Sequence, residues 1–394
     1  MTGRAVVVLS LAAFASAAAL RATDAILPLI AGSFGTTPGG ASAVITGFAL
    51  AYGLLQLVNG PIGDRVGKYR MVFWITAISA GGNLACALAP SLELLVAARF
   101  ATGATVGAIV PLAMAWIGDA VPYERRQAVL ARFLIGHMFG VAFATSASGF
   151  LGERYGWQAM FYLLAALYAA TALLLHLELR RNPLTRESRP DTGPIAGTFR
   201  RMAGLTRLPW VRVILATTFI EGALFNGAAA FVALELHQRF GLSLGASGSI
   251  VAVSAAGSLL YAAGAGRIVP RLGERGLVLG GGVFVASGFV GLALAPAAGW
   301  ALPCMLALGS GFYMLHNTLQ VHATQMAPEA RGGALALFAC SLFTGQSAGV
   351  WLASHAVDET GARPVFLVAA VGLSLLALDF RRRLAGLRAV QTRA

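Results

Sequence analysis

Gly60-Pro-Ile-Gly-Asp64-Arg-Val-Gly-Lys68-Tyr-Arg70 is a short polar segment between two long apolar ones, and it recurs in degenerate form later in the chain. Its second copy, Gly266 to Arg275, keeps the two flanking glycines and one arginine at a displacement of 206 residues. The pattern therefore indicates that the fold was built by duplicating one unit.

The same displacement holds on both sides of this segment, over roughly 95 residues without a gap. In a strongly apolar chain, a parallel repeat of two halves is typical of secondary transporters, which bind a substrate between the halves. Further matched positions are Phe34-Gly35 with Phe240-Gly241, Gly103 with Gly309, Pro122 with Pro328, Arg125 with Arg331 and Ala128 with Ala334.

Composition places most of the chain in a membrane. The 394 residues are 57% hydrophobic and 11% charged, with a mean hydropathy of +0.74, whereas soluble domains carry about 25% charged residues. Apolar segments of about 20 residues recur, long enough to cross a hydrocarbon core of about 30 Å as helices. We predict an all-α, multi-pass protein of the cell (inner) membrane with twelve spans at 6–31, 43–60, 70–90, 93–118, 127–150, 157–178, 210–236, 245–265, 276–296, 299–324, 332–353 and 364–380.

The net charge of +13 does not form a soluble basic patch, so we expect no nucleic-acid partner. Basic residues instead collect in alternate loops, which by the positive-inside rule predicts that both termini and the long central loop are cytoplasmic. The basic tail either fixes this topology or also contacts anionic lipid. The basic residues of these loops are Arg4, Arg65, Lys68, Arg70, Arg125, Arg126, those from Arg180 to Arg207, Arg271, Arg275, Arg331, Arg381, Arg382, Arg383 and Arg388.

The long polar interruption from Arg180 to Pro209 falls where the two halves join. It predicts four regions: an N-terminal six-helix bundle at 1–180, a cytoplasmic linker at 181–209, a C-terminal six-helix bundle at 210–380 and a basic tail at 381–394. The cysteines, Cys86, Cys304 and Cys340, lie within apolar segments at wide spacing. Neither a disulfide framework nor a metal cluster is predicted from them.

The segment from Gly60 to Arg70 closely resembles the signature loop of the major facilitator superfamily. The resemblance implies two six-helix bundles around a central cavity, in a protein that works as a monomer. A carboxylate flanked by arginines at a helix end can hold a neighbouring helix and release it as the halves rock; the alternative is a solvated turn that fixes topology. The second copy has Pro270 in place of the acid. The predicted gating residues are Gly60, Asp64, Arg65, Gly67, Lys68 and Arg70.

Arg99, followed by Gly103 and Gly107, resembles the fourth-helix motif of the same superfamily, in which the arginine is linked to proton coupling. A charged residue inside a span is costly and usually functional. The alternative is a snorkelling side chain near the membrane face.

Thr23-Asp24-Ala-Ile-Leu27-Pro28 resembles the first-helix segment of the drug:proton antiporters of this superfamily. Desolvation favours a protonated acid and a nearby cation favours the carboxylate, so proton and substrate can compete at Asp24. Glu221, with Asn226 one turn further on, is the second proton candidate. Arg21, one turn before Asp24, offers the alternative of a static ion pair.

The fifth helix departs from the antiporter pattern. Gly136, Gly140 and Ser148-Gly149 fit a glycine-rich signature, but Ala144-Thr145 occupies the place of the expected Gly-Pro pair. The departure weakens the assignment to antiport more than the assignment of the fold.

Polar residues within the spans are candidates for the substrate cavity, although such residues often bond one another between helices. His316 and His322 are six residues apart, on different helix faces, which disfavours a metal pair. We find no nucleotide-binding motif or catalytic triad, and thus expect no cofactor and no enzyme. The cavity candidates are Arg21, Gln56, Asn226, His316, Asn317 and Gln320.

We therefore expect a secondary transporter, with proton-coupled efflux of a small organic molecule as the favoured activity. One alternative is a proton symporter or uniporter that imports a metabolite such as a sugar or organic acid. The other, of a different class, is a membrane sensor or scaffold that keeps the fold without moving solute.

Overall fold

A computed structural model of the chain describes residues 2–186, 195–327 and 330–391. Linker residues 187–194, Pro328 and tail residues 392–394 lie outside the described residues, as do the side chains of Asp64 and Arg388. The described helices are α1 (Thr2–Arg21), α2 (Leu27–Phe34), α3 (Pro38–Ala41), α4 (Ala43–Val66), α5 (Lys68–Ala87), α6 (Leu92–Val106), α7 (Ile109–Ala120), α8 (Tyr123–Tyr155), α9 (Gln158–Arg181), α10 (Ile195–Leu205), α11 (Pro209–Glu221), α12 (Gly227–Ala229), α13 (Val232–Phe240), α14 (Leu244–Leu294), α15 (Ala301–Gln325), α16 (Arg331–Thr360) and α17 (Ala362–Gln391).

Ten helical stretches in the described ranges are long and apolar enough to cross a membrane. One of them, α14, has 51 residues, which at about 1.5 Å per residue is more than twice the thickness of a hydrocarbon core of about 30 Å. Its backbone leaves the helical region at Gly273, with φ 62° and ψ 174°. The spans predicted at 245–265 and 276–296 thus lie in the two parts of α14, before and after the break at Gly273. Helix α5, which begins with Lys68-Tyr69-Arg70, is not among the ten.

The first spanning segment of each half is broken. The helix predicted at 6–31 is divided by a turn at 22–26, because Pro28 in the first turn of α2 cannot continue the hydrogen-bond ladder of α1. The matching segment of the second half contains a π-helical stretch, Gly222–Asn226, and a turn at 230–231. Both breaks place polar backbone and side chains at the middle of an apolar segment.

Left-handed glycines mark the repeat in the backbone. Gly35 and Gly241 have φ of 64° and 66°, and Gly67 and Gly273 have 96° and 62°. Each pair is 206 residues apart, and the third pair, Gly156 and Gly361, is 205 apart with φ of 84° and 79°. These turns require glycine because a Cβ is strained at such angles.

The segment predicted as a loop at 60–70 is mostly helical. Helix α4 continues through Pro61 to Val66, and only Gly67 departs from helical geometry before α5 begins. The helix can continue because Pro61 removes one backbone donor without ending the ladder. The two helices therefore extend further into this segment than the predicted spans 43–60 and 70–90, and the reversal of chain direction lies at Gly67.

The helix ends define two faces. The short-loop face has connections at 35–37, 88–91, 156–157, 241–243, 295–297 and 361. Among the described residues, the basic face has connections at 67, 121–122, 182–186, 206–208, 273 and 326–327.

The first half (residues up to 186) and the second half (from 195) pack closely toward the short-loop face. A Cβ at Gly248 of α14 would overlap the carbonyl of Thr145 in α8, and one at Gly149 would overlap the carbonyl of Leu244. Lipid provides no hydrophobic drive between helices, so such close backbone approach supplies much of the attraction.

We expect Gly103→Ala and Gly309→Ala, at matched positions of the repeat, each to lower the free energy of unfolding by about 1–3 kcal/mol. The added methyl would overlap the carbonyl of Phe48 in the first case and of Ser254 in the second. Thermal unfolding in detergent measures the effect.

The matched control is Gly81→Ala, because no atom lies within 4 Å of a Cβ at that helical position. Alanine favours helix over glycine, so this variant should be unchanged or more stable by up to about 1 kcal/mol. Equal losses in all three variants would contradict the packing argument.

Candidate functional site

Arg21 joins the two halves where the first spanning segment of each half is broken. One guanidinium nitrogen donates to Asp24 Oδ2 at 3.1 Å and another donates to Asn226 Oδ1 at 2.7 Å. Arg21 ends α1, Asp24 lies in the following turn, and Asn226 ends the π-helical stretch. Both helix breaks therefore meet at one side chain.

Asp24 is only partly satisfied by this arrangement. Its side chain is 3% exposed, and its Oδ1 has no hydrogen-bond partner among the described residues. A buried carboxylate oxygen without a donor is costly as a charged group. Asp24 can therefore accept a proton or a further donor at Oδ1 while Oδ2 stays on Arg21.

Arg99 is fully buried and lies deep in the helix packing. It donates to the carbonyls of Ala19 at 3.1 Å and Val44 at 3.4 Å, and its guanidinium lies 3.9 Å from the ring centroid of Phe48. The Ala19 carbonyl is accessible because α1 ends two residues later and its last carbonyls lack helical partners. The snorkelling alternative does not describe this side chain, because it is enclosed by protein rather than extended to a membrane face.

Glu221 forms a second buried acid site. Its Oε2 lies 2.9 Å from His316 Nδ1, and its side chain is 0% exposed. The imidazole stacks on Phe312 with ring centroids 5.0 Å apart, and Phe312 stacks on Phe225 at 4.3 Å. The second half thus places an acid, an imidazole and two aromatic rings in one continuous group.

The four ionisable side chains described so far carry balanced charge. Half-buried Arg21 and buried Arg99 accompany the buried carboxylates Asp24 and Glu221, so this set of four is neutral when His316 is neutral. Neutrality lowers the cost of removing these groups from water. Uptake of one proton would give this set one net positive charge.

The other cavity candidates differ in their burial and in their contacts. Gln56 is 8% exposed and buried, Asn317 interacts with Tyr261, and Gln320 is exposed. Sequence reasoning missed Tyr52 and Phe343, whose rings lie 4.3 Å apart across the two halves. No spacing in the sequence pairs residues so distant along the chain.

The predicted gating segment contacts a residue that the sequence analysis did not identify. Lys68 Nζ lies 2.5 Å from Asp119 Oδ2 near the end of α7, on the basic face. Arg65 and Arg70 are exposed. The segment therefore joins α5 to α7 by an ion pair, while the contacts of Asp64 lie outside the described residues.

The fold and these buried charges define the class of protein, a multi-helical membrane transporter. The family model of the Major Facilitator Superfamily matches residues 9–333, and the chain belongs to this superfamily. It is consequently a multi-pass protein of the cell membrane and a transporter, not an enzyme.

Similarity to individual proteins covers different shares of the chain. An uncharacterized MFS-type transporter of Bacillus subtilis, YceJ, is 24% identical over 85% of this chain and 84% of its own length. The multidrug export protein EmrB of Escherichia coli is 26% identical over 48% of this chain, but that match covers only 37% of EmrB.

Solved structures share the fold. A mutant of the nucleoside transporter NupG superposes with a TM-score of 0.78 at 16% identity, over 95% of this chain and 98% of that one. A POT family transporter bound to a thioalcohol-conjugated peptide gives 0.79 at 14% identity, over 96% and 95%.

We expect a double-mutant cycle of Glu221→Ala and His316→Ala to give a coupling energy of about 1–3 kcal/mol, because either single variant already breaks the buried hydrogen bond and the second substitution cannot break it again. Unfolding in detergent measures it. The control cycle pairs Glu221→Ala with Gln320→Ala, and coupling below about 0.5 kcal/mol is expected there. Equal coupling in both cycles would contradict the contact.

Proposed function

We propose that this protein exports a small organic molecule in exchange for protons by alternating access. The observation that carries the proposal is the position of Arg21, which is bonded at once to Asp24 of its own half and to Asn226 of the other. A change in charge at Asp24 alters a bond network that spans both halves.

Asp24 is the first proposed proton site. Protonation of Asp24 removes the negative charge that attracts the Arg21 guanidinium. Arg21 then keeps its hydrogen bond to Asn226 of the other half without an ion pair to its own half. A proton that binds from outside and leaves to the cytoplasm would in this way favour different positions of the two halves.

Glu221 is the second proposed proton site. His316 on its Oε2 can hold or pass a proton at Nδ1, and its Oε1 lacks a hydrogen-bond partner among the described residues. The two acids lie on opposite sides of the junction between the halves. Proton release from either one restores a negative charge at this junction.

For the substrate we propose an amphipathic organic molecule with an apolar or aromatic part. The stacked rings of Phe225 and Phe312 and the pair of Tyr52 and Phe343 offer flat apolar contacts beside the buried charges. Similarity to a multidrug exporter in part of the chain supports the same class.

Import of a metabolite is the second candidate. It is favoured by the absence of the Gly-Pro pair at Ala144-Thr145, and α8 runs as one continuous helix from Tyr123 to Tyr155. The direction of net flux in the experiment below decides between the two.

We also propose twelve spans with both termini in the cytoplasm, as two six-helix bundles at 1–180 and 210–380 in a monomer. The length of α14 accommodates two spans, and α5, although less apolar, has the 20 residues that one span needs. The basic face is then cytoplasmic and the short-loop face is external.

Single cysteines in a chain whose native cysteines are replaced by alanine test this topology. We expect Ala297→Cys on the short-loop face to react with an impermeant maleimide in intact cells. Thr206→Cys on the basic face should react only after the membrane is opened. The reverse pattern would contradict the orientation.

Proton movement in proteoliposomes that contain a pH-sensitive dye tests coupling. We expect drug-like cations or aromatic metabolites to trigger proton flux in the wild type, and Asp24→Asn to reduce it at least tenfold because the acid that exchanges the proton is lost. Labelled substrate measured in parallel gives the direction of transport.

Glu93→Gln is the matched control, because this acid lies in the exposed first turn of α6 and should leave flux unchanged. Retention of full flux in Asp24→Asn together with its loss in Glu221→Gln would move the proton site to Glu221. Unchanged coupling with both acids neutralised would contradict the proposal.

A further inference from the structure

Two carboxylates on the short-loop face reach across from one half of the chain to the other. Glu153 near the end of α8 and Asp358 near the end of α16 each precede a left-handed glycine by three residues. Each accepts hydrogen bonds from the beginning of a spanning segment in the opposite half.

Asp358 binds the start of the span Pro38–Gly63. Its Oδ1 accepts the backbone N–H of Gly39 at 2.9 Å, and its Oδ2 accepts the hydroxyl of Thr37 at 2.6 Å. The Thr37 oxygen also caps this helix by accepting the N–H of Gly40 at 2.9 Å.

Glu153 binds the start of α14 in the corresponding way. Its Oε1 accepts the N–H of Leu244, and its Oε2 accepts the N–H of Gly245 at 3.4 Å. Ser243 caps this helix by accepting the N–H of Ala246 at 3.0 Å.

The two contacts are copies of one device. Thr37 and Ser243, and likewise Gly39 and Gly245, are 206 residues apart, while the two acids are 205 apart, as are the glycines that follow them. The copies differ in one donor. Position 38 is a proline without an N–H, and the hydroxyl of Thr37 supplies the second bond that Leu244 N–H supplies in the other copy.

Glycine at both receiving positions permits the close approach. A Cβ at Gly39 would overlap the carboxylate of Asp358, and one at Gly245 would overlap the ring of Phe150. The first N–H groups of a helix have no partner within the helix, so they are available to a carboxylate from outside.

We propose that Glu153 and Asp358 are paired latch residues that hold the short-loop face closed and release it as the halves separate. Both side chains are exposed, so water can replace each bond when the contact opens. The bonds therefore bias the closed state without locking it. The proposal rests on the proposed alternating access, in which this face must open once in each cycle.

Double electron–electron resonance between spin labels at Leu88→Cys and Ala297→Cys tests the latches in a chain whose native cysteines are replaced by alanine. Both positions are exposed on the short-loop face, one in each half. We expect Glu153→Gln and Asp358→Asn each to raise the ratio of the long to the short distance about fivefold, and the double variant about twenty-five-fold, since the contacts are separate.

A second pair of variants separates the latch from helix capping. Thr37→Val and Ser243→Ala both remove a cap, but only the first also removes a bond to the acid. We expect Thr37→Val to favour the open distance more than Ser243→Ala does. Equal shifts in these two variants would overturn the proposal.

The charge control is Glu359→Gln, which removes an exposed acid adjacent to Asp358 and should leave the distance ratio unchanged. An unchanged ratio in the double variant, or an equal shift in Glu359→Gln, would also overturn the latch. The distances are read without substrate, so failure of the latch is distinct from failure of proton-coupled export, which the flux experiment reports. Persistence of the short distance in each variant shows that it is folded.

Discussion

Hydrocarbon offers no hydrogen bonds, and the structure depends on how this chain satisfies its buried charges internally. Arg99 donates to backbone carbonyls, and one of them lies in the last turn of α1, where carbonyls have no partner within the helix. Arg21 donates to the carboxylate of Asp24, just beyond the end of α1, and to the side-chain amide oxygen of Asn226 in the other half. The interruptions of the helices are thus the places where ionised groups can be accommodated.

The two halves have the same residue where the backbone conformation requires glycine, and they differ at positions where only the side chain matters. Left-handed turns remain glycine in both halves because other residues are strained there. Asp64 has Pro270 as its counterpart, and the Leu244 N–H is replaced by a hydroxyl because its counterpart is Pro38. One geometric plan consequently supports two chemically different halves.

Contacts between the halves are of two kinds, and their locations suit different tasks. The bond of Arg21 to Asn226 lies beside the buried acid Asp24, where the proposed protonation would change the local charge. The bonds of Glu153 and Asp358 lie at the surface, where water can take their place. In the proposed transport cycle, rigid helices connect a binding event beside Arg21 to the contacts of Glu153 and Asp358, which form and break at the short-loop face.

Hydropathy and the 206-residue register determined the helical membrane fold, because both are properties of the linear sequence. The segment from Gly60 to Arg70, with the motifs around Asp24 and Arg99, indicated the superfamily. Only the tertiary structure paired Arg21 with Asn226, Glu221 with His316 and Glu153 with the start of α14. Linear spacing gives the face of a helix on which a residue lies, but not which helix packs against that face or at what depth. The partners of the buried charges therefore follow from packing between distant segments.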